Sequence, residues 1–340
     1  MASALALAAC SRPAKSQTVI PDGPLKSLAD FPVGCCVQAG QLDDPDFAAL
    51  LSRHFSQLTP EWEMKMEYIV QPDGSFLFDR PDRIAGFARE HGMRLYGTTL
   101  IWYAQKPDAF VHLDQNRATF GQAYDNYIAG VVGRYRGAAG WDVVNEPVAE
   151  DGNGWRQSLW AERLGDFDHM VRAFHVAQAA DPTATLFIND YNLESLPAKL
   201  ATYQRLIEKL LAAGAPVSGI GCQTHANADL APGAIAHAIQ ALAGFGLPIH
   251  VSEMDVSVAR AKGFLTSRAD LEAKQARLYE EAGHAFAALP PKQRFAFTLW
   301  GLRDKDSWLH GENASDTPVL FDDAGEPKPA FAALAKGFAR

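Results

Sequence analysis

Residues 120–135 read FGQAYDNYIAGVVGRY, and residues 141–147 read WDVVNEP. In the first stretch, Phe120, Ala123, Tyr124, Tyr127, Ile128, Val131, Val132 and Tyr135 recur at the three- and four-residue spacing of one helix face. In the second, the apolar run Trp141 to Val144 reads as a strand and runs straight into the polar pair Asn145-Glu146. A helix feeding a short apolar strand with a polar end is one unit of an α/β fold. Outward from this stretch the unit recurs. Candidate strands are Phe31 to Gln38, Phe55 to Leu58, Arg94 to Ile101, Trp141 to Val144, Thr185 to Ile188, Gly219 to Gln223, Pro248 to Val251 and Arg294 to Leu299. Helical spacing covers Phe47 to His54, Pro81 to His91, Phe167 to Ala180, Leu200 to Leu211, Ala234 to Phe245, Arg268 to Ala287 and Ala330 to Phe338.

The strands are apolar throughout rather than alternating, as expected of parallel strands covered by helices. Eight such units predict a single (β/α)8 TIM barrel. A doubly wound open sheet is the alternative, weakened because no Gly-x-Gly-x-x-Gly turn follows the first strand. In a barrel the chemistry belongs just past the C-terminal strand ends. Polar residues gather there: Asn145 and Glu146, Asn189 and Asp190, Gln223 and His225, Glu253 and Asp255, and Asp304 beyond Trp300.

Composition narrows the partners. The 340 residues are 48% hydrophobic and 21% charged, which excludes a disordered or collagen-like chain. With 31 Lys+Arg against 40 Asp+Glu, a net charge of -9 argues against nucleic acid, which needs a basic surface. A neutral substrate and a monomer are expected. Cys35, Cys36 and Cys222 read as buried free thiols, since adjacent residues on a strand point to opposite faces. No zinc-type Cys or His spacing occurs, and neither metal nor cofactor is expected. The apolar run ending Leu7-Ala8-Ala9-Cys10 resembles the lipobox of bacterial lipoproteins, so residues 1–25 read as a truncated signal and tether, and residues 26–340 as the catalytic domain. Export is expected, periplasmic, secreted or attached to a membrane through lipidated Cys10; an incidental Ala-rich start is the other reading.

Glu146 and Glu253 each stand at the end of an apolar strand, on strands three apart around the barrel, where they can converge on one opening. Two convergent carboxyls suffice for glycoside hydrolysis, one protonated to assist the leaving oxygen and one ionised to attack or to activate water. A strand-end Glu can equally cap the next helix or pair with a lysine. The segments 141–147 (WDVVNEP) and 250–255 (HVSEMD) resemble the two active-site segments of glycoside hydrolase family 10, the retaining β-1,4-xylanases. Segments 61–67 (EWEMKME), 186–192 (LFINDYN), 219–225 (GIGCQTH) and 300–308 (WGLRDKDSW) resemble further family blocks in the expected order.

The resemblance implies Glu146 as general acid and then base, and Glu253 as the nucleophile, oriented by His225 and Asp255. Asn145 would bond the sugar 2-hydroxyl. Glu61, Trp62, Lys65, Trp102, Tyr103, Gln105, Tyr191, Gln223, Trp300 and Trp308 would contact the poly- or oligosaccharide. The chain departs from the family at three positions: Trp62 stands where an Asn is usual, and Thr98 and Tyr103 where histidines are usual. These changes predict an altered or shortened glycone site. A β-1,4-glucanase or aryl-β-glycosidase on the same scaffold stays open, because xylose and glucose differ by one hydroxymethyl group. So does an inactive glycan-binding surface lipoprotein.

Overall fold

The structure, a computed structural model, describes residues 23–114, 116–262 and 266–339; Cys10 lies outside them. Eight strands form the core: β1 (Val33–Val37), β2 (Gln57–Pro60), β3 (Arg94–Gly97), β4 (Gly140–Asn145), β5 (Thr185–Asn189), β6 (Gly219–Cys222), β7 (Ile249–Ser257) and β8 (Arg294–Leu299). Each pairs in parallel with the next, and β8 also pairs with β1, with Val33 opposite Phe297. The ring is therefore closed, which excludes the open sheet.

Eight helices cover it: α1 (Pro45–His54), α2 (Asp79–Glu90), α3 (Arg117–Arg134), α4 (Asp168–Ala180), α5 (Pro197–Ala212), α6 (Ala234–Ala243), α7 (Arg268–Ala287) and α8 (Pro329–Phe338). All lie where the helical spacing put them, and the ends that moved did so for local reasons. The Asp44 side chain accepts from the N–H groups of Asp46 and Phe47, so α1 starts at Pro45. Asn116 caps α3 in the same way. Cys35, Cys36 and Cys222 are buried free thiols, as expected.

Two strands differ from expectation in ways that matter for the site. The run Arg94 to Ile101 breaks into β3 and a two-residue strand, Ile101–Trp102, which pairs with Val144 and Asn145 and so sets Trp102 beside Glu146. Strand β7 runs on to Ser257 because a short strand, His225–Asn227, pairs with Asp255 to Ser257 and prolongs the ladder. Glu253 and Asp255 consequently lie within β7, whereas Glu146 lies one residue beyond β4.

The register irregularities nearest the mouth fall on β4 and β7. Phe297 and Leu299 of β8 face Val251 and Met254, so β7 carries an extra residue across Ser252-Glu253. Asp142 and Val144 of β4 face Phe187 and Ile188, an extra residue just before Asn145. Such bulges re-aim side chains. Close packing of the barrel interior requires glycine at two neighbouring sites. A Cβ at Gly219 would lie 2.3 Å from the Phe187 ring, and one at Gly221 would lie 2.3 Å from Asn189 Oδ1.

Candidate active site

Three amides tie the two glutamates together at the C-terminal mouth. Gln223 Nε2 donates to Glu146 Oε1 at 3.1 Å and to Asn145 Oδ1 at 3.2 Å. Asn189 Nδ2 donates to Asn145 Oδ1 at 3.1 Å and to Glu253 Oε1 at 2.9 Å. Ser252 Oγ donates to Asn189 Oδ1 at 2.8 Å, which fixes that amide's orientation. The network draws one residue or more from each of β4 to β7 and the turns that follow them. Sequence reading placed Asn189 at a strand end but gave it no partner; the contact with Glu253 depends on the bulge in β7.

Glu146 is buried, and its backbone φ of 53° lies in the left-handed region that a non-glycine residue rarely occupies. Burial pushes its carboxyl above the ordinary range; the Gln223 hydrogen bond pulls it down, and the Glu253 charge pushes it up again. Its second oxygen, Oε2, accepts from Trp102 Nε1 at 2.9 Å. Trp102 is itself anchored by Trp160 Nε1, which donates to its carbonyl at 3.0 Å.

His225 stands between two acids. Its Nε2 is 3.4 Å from Glu253 Oε2 and its Nδ1 is 3.0 Å from Asp255 Oδ2. Burial alone would lower its pKa, but Asp255 and Glu253 outweigh it and raise the value to about 10. At neutral pH the ring is therefore an imidazolium, held beside Glu253 as a fixed positive charge. Trp308 Nε1 donates to Asp255 Oδ2 at 2.8 Å, and the Trp308 and Trp300 rings lie 5.5 Å and 6.3 Å from the imidazole, edge to face.

The remaining expected sugar contacts spread along the same mouth. Glu61 is buried and accepts from Gln38 Nε2 at 2.9 Å, with burial raising its pKa. Lys65 Nζ sits 4.8 Å from the Trp102 ring centroid. Trp62 instead turns toward Tyr68 and Arg80. Gln105 joins two loops, its Oε1 accepting from Glu67 N at 2.7 Å.

Tyr103 and Tyr191 flank Arg156, a residue that sequence reading missed. The guanidinium lies 4.4 Å from the Tyr103 ring centroid, and Nη2 donates to the Tyr191 hydroxyl at 2.7 Å. Lys199, also missed, is wholly buried 3.0 Å from Asp190 Oδ1 and lies over the Tyr191 ring. Asp304 is not at the mouth's centre in its contacts: it pairs with Lys328 and accepts from Val319 N, bracing a loop.

A (β/α)8 barrel with two buried, amide-linked glutamates from strands three apart, one of them beside an imidazolium, has the site architecture of the two-carboxylate glycosidases. The comparisons narrow this. The chain matches the model of Glycosyl hydrolase family 10 over residues 25–337 and belongs to that family. It is 38% identical over 320 residues to Exoglucanase XynX of Acetivibrio thermocellus, covering 90% of this chain and 28% of that protein. Endo-1,4-beta-xylanase A of Thermoanaerobacterium saccharolyticum is 36% identical, covering 89% of this chain and 26% of its own length. The chain thus spans about a quarter of these two relatives. It spans 94% of the Geobacillus stearothermophilus endo-1,4-beta-xylanase, at 35% identity and 89% of this chain. Among solved structures, a family 10 protein from Paenibacillus barcinonensis superposes with a TM-score of 0.84 at 32% identity, covering 92% and 96% of the two chains. A mutant protein solved in complex with xylotriose gives 0.82 at 31%, covering 92% and 99%.

Proposed function

We propose that the chain is a retaining glycoside hydrolase that cleaves β-1,4-xylosidic bonds in xylan or xylo-oligosaccharides by double displacement. The observation that carries this reading is the pair of buried glutamates joined through Asn145, Asn189 and Gln223, with the His225 charge on one of them only. Glu253, beside the His225 imidazolium, attacks the anomeric carbon. The bond to the leaving oxygen breaks as Glu146 donates its proton, and a glycosyl ester forms on Glu253. Esterification removes the Glu253 charge that raised the Glu146 pKa, so Glu146 is left a better-stabilised carboxylate. It then takes a proton from water, which attacks the same carbon and releases Glu253 and the sugar with its configuration retained.

Asn145 lies next to the acid, where it bonds the 2-hydroxyl of the reacting sugar as positive charge develops on the ring. Tyr191 and Tyr103 border the cleft near Glu146, while Trp300 and Trp308 wall the side of His225. The xylotriose held by a relative supports a xylose-based substrate. A β-1,4-glucanase is the second reading, favoured by the exoglucanase name of one relative and by Trp62. Hydrolysis of linear xylan, xylo-oligosaccharides, cellodextrins and aryl β-xylosides, with the anomer of the first product followed by NMR, tests both. Release of the β-anomer from xylosides supports the first; faster cleavage of cellodextrins supports the second; release of the α-anomer overturns retention. The Leu7 to Cys10 run supports export as a lipoprotein, for which labelling by a radioactive fatty acid that Cys10→Ala abolishes is the test.

A further inference from the structure

The loop after β2 carries Glu61 and Lys65 at its ends and Trp62 between them. Beside Trp62 is a hollow of about 290 Å³ lined by Trp62, Glu67, Tyr68, Leu77, Arg80 and Pro81. Among the described residues, Tyr68, Leu77, Val111 and Leu211 are the large apolar side chains left exposed, and two of these four line this one hollow, at 47% and 45% exposure. Apolar surface concentrated in a concavity with a polar rim marks a binding site more often than scattered exposure does. The Trp62 and Tyr68 rings meet at 4.5 Å with their planes tilted by 47°, making a trough, and Arg80 holds the indole from 4.9 Å.

The chemistry of the lining selects its occupant. Sugar rings present apolar C–H faces and a rim of hydroxyls, which match aromatic faces bordered by Arg80 and Glu67. Two carboxylates, Glu63 and Glu67, stand by the single guanidinium, so an anionic sugar gains little there and a neutral one is favoured. The hollow adjoins the loop that carries Glu61 and Lys65. Glu146 bonds Trp102, Lys65 lies over Trp102, and Trp62 lies three residues before Lys65. We infer that Trp62, Tyr68, Leu77 and Arg80 form an additional glycone-side subsite that holds a neutral sugar ring of the bound glycan beyond the rings held by Glu61 and Lys65. The inference rests on the xylanase reading and refines it. The large side chain that replaces the usual family amide extends the site outward instead of merely shortening it.

The ring comes either from the next backbone unit of a linear chain or from a branch on the unit before it. The test measures kcat/KM for wild type, Tyr68→Ala and Arg80→Ala on linear xylo-oligosaccharides of two to six units. The same measurement is made on arabinofuranosyl-branched and glucuronosyl-branched oligosaccharides. The expected result is that the ratio of kcat/KM on hollow-reaching to shorter substrates falls about five- to tenfold in both variants, through KM rather than kcat. A fall confined to linear substrates assigns the ring to the backbone, and one confined to arabinosylated substrates assigns it to a branch; either supports the subsite. Ratios unchanged from wild type in Tyr68→Ala, or a wild-type preference for the glucuronosyl substrates, overturn it. Wild type inactive on every xyloside overturns the xylanase reading itself, a different outcome from active enzyme with unchanged ratios.

Discussion

At the scale of single residues, the site divides its labour by environment. Both glutamates are buried, yet only Glu253 has an imidazolium beside it. Gln223 is the larger of the two hydrogen-bonding influences that favour ionised Glu146. Gln223→Met removes that donor, so the Glu146 pKa rises and the alkaline limb of kcat/KM moves to higher pH, by about half a unit to one unit; a pH profile on an aryl xyloside checks this, and a downward move contradicts it. Glu146→Ala is expected to lose about 10⁴-fold on xylan. It should keep fast bond breaking on aryl glycosides whose leaving group needs no proton, and added azide should restore turnover by attacking the glycosyl ester in place of water. No azide rescue would remove Glu146 from the second step.

These two carboxyls were legible because each stands a residue or two beyond a short apolar run. Lys199 was legible in principle, since it occupies the same helix face as Tyr203, Leu206 and Leu210 and must therefore be buried with a partner. Arg156 was not: it lies in a loop with no periodicity, and its partners Tyr103 and Tyr191 come from other strand ends.

At the scale of elements, the bulges in β4 and β7 bring Glu146 and Glu253 to one opening, and no one-dimensional pattern announces them. A bulge is a mismatch between neighbouring strands, so the lone sequence of β7 carries no sign that Ser252 and Glu253 share one register step. The same holds for the split of β3 from Ile101–Trp102. The helices were legible because spacing sustained over ten residues or more averages out local noise, whereas Asp108–Val111 and Leu159–Leu164 are too short to show a period. Packing between β5 and β6 offers a test at this scale. Gly221→Ala puts a methyl group into the space of the Asn189 amide, which bonds both Asn145 and Glu253. The expected cost is about 1–3 kcal/mol of stability together with a kcat loss larger than the KM change. Denaturant unfolding beside steady-state kinetics checks it; full activity would show that the amide is not needed where it stands.

At the scale of the whole molecule, the closed ring holds an unusual load of buried acid. Burial raises Asp142 to about 8, and Asp190 and Glu194 each to about 7. Raised values mean that the folded chain keeps protons that the unfolded chain releases from about pH 4 upward, so stability is full below that range and declines as pH rises toward 8. His225, raised to about 10, adds to the loss from about pH 6.5 up to that value, the range in which the unfolded chain has released the proton that the folded ring still holds. The unfolding midpoint is expected to be several degrees higher at pH 5 than at pH 9, and Asp142→Asn should shrink the difference. An equal midpoint at both values would contradict the buried-acid account. In the proposed mechanism the barrel serves chiefly to present four consecutive strand ends, β4 to β7, to one sugar. The most direct test of that arrangement is to trap the intermediate with a 2-deoxy-2-fluoro xylobioside carrying a good leaving group, and to locate the attached sugar by peptide mass spectrometry. One fluoroxylobiosyl group bound as an ester on Glu253 is the expected result; attachment to another residue, or turnover with no adduct and inverted product, would contradict it.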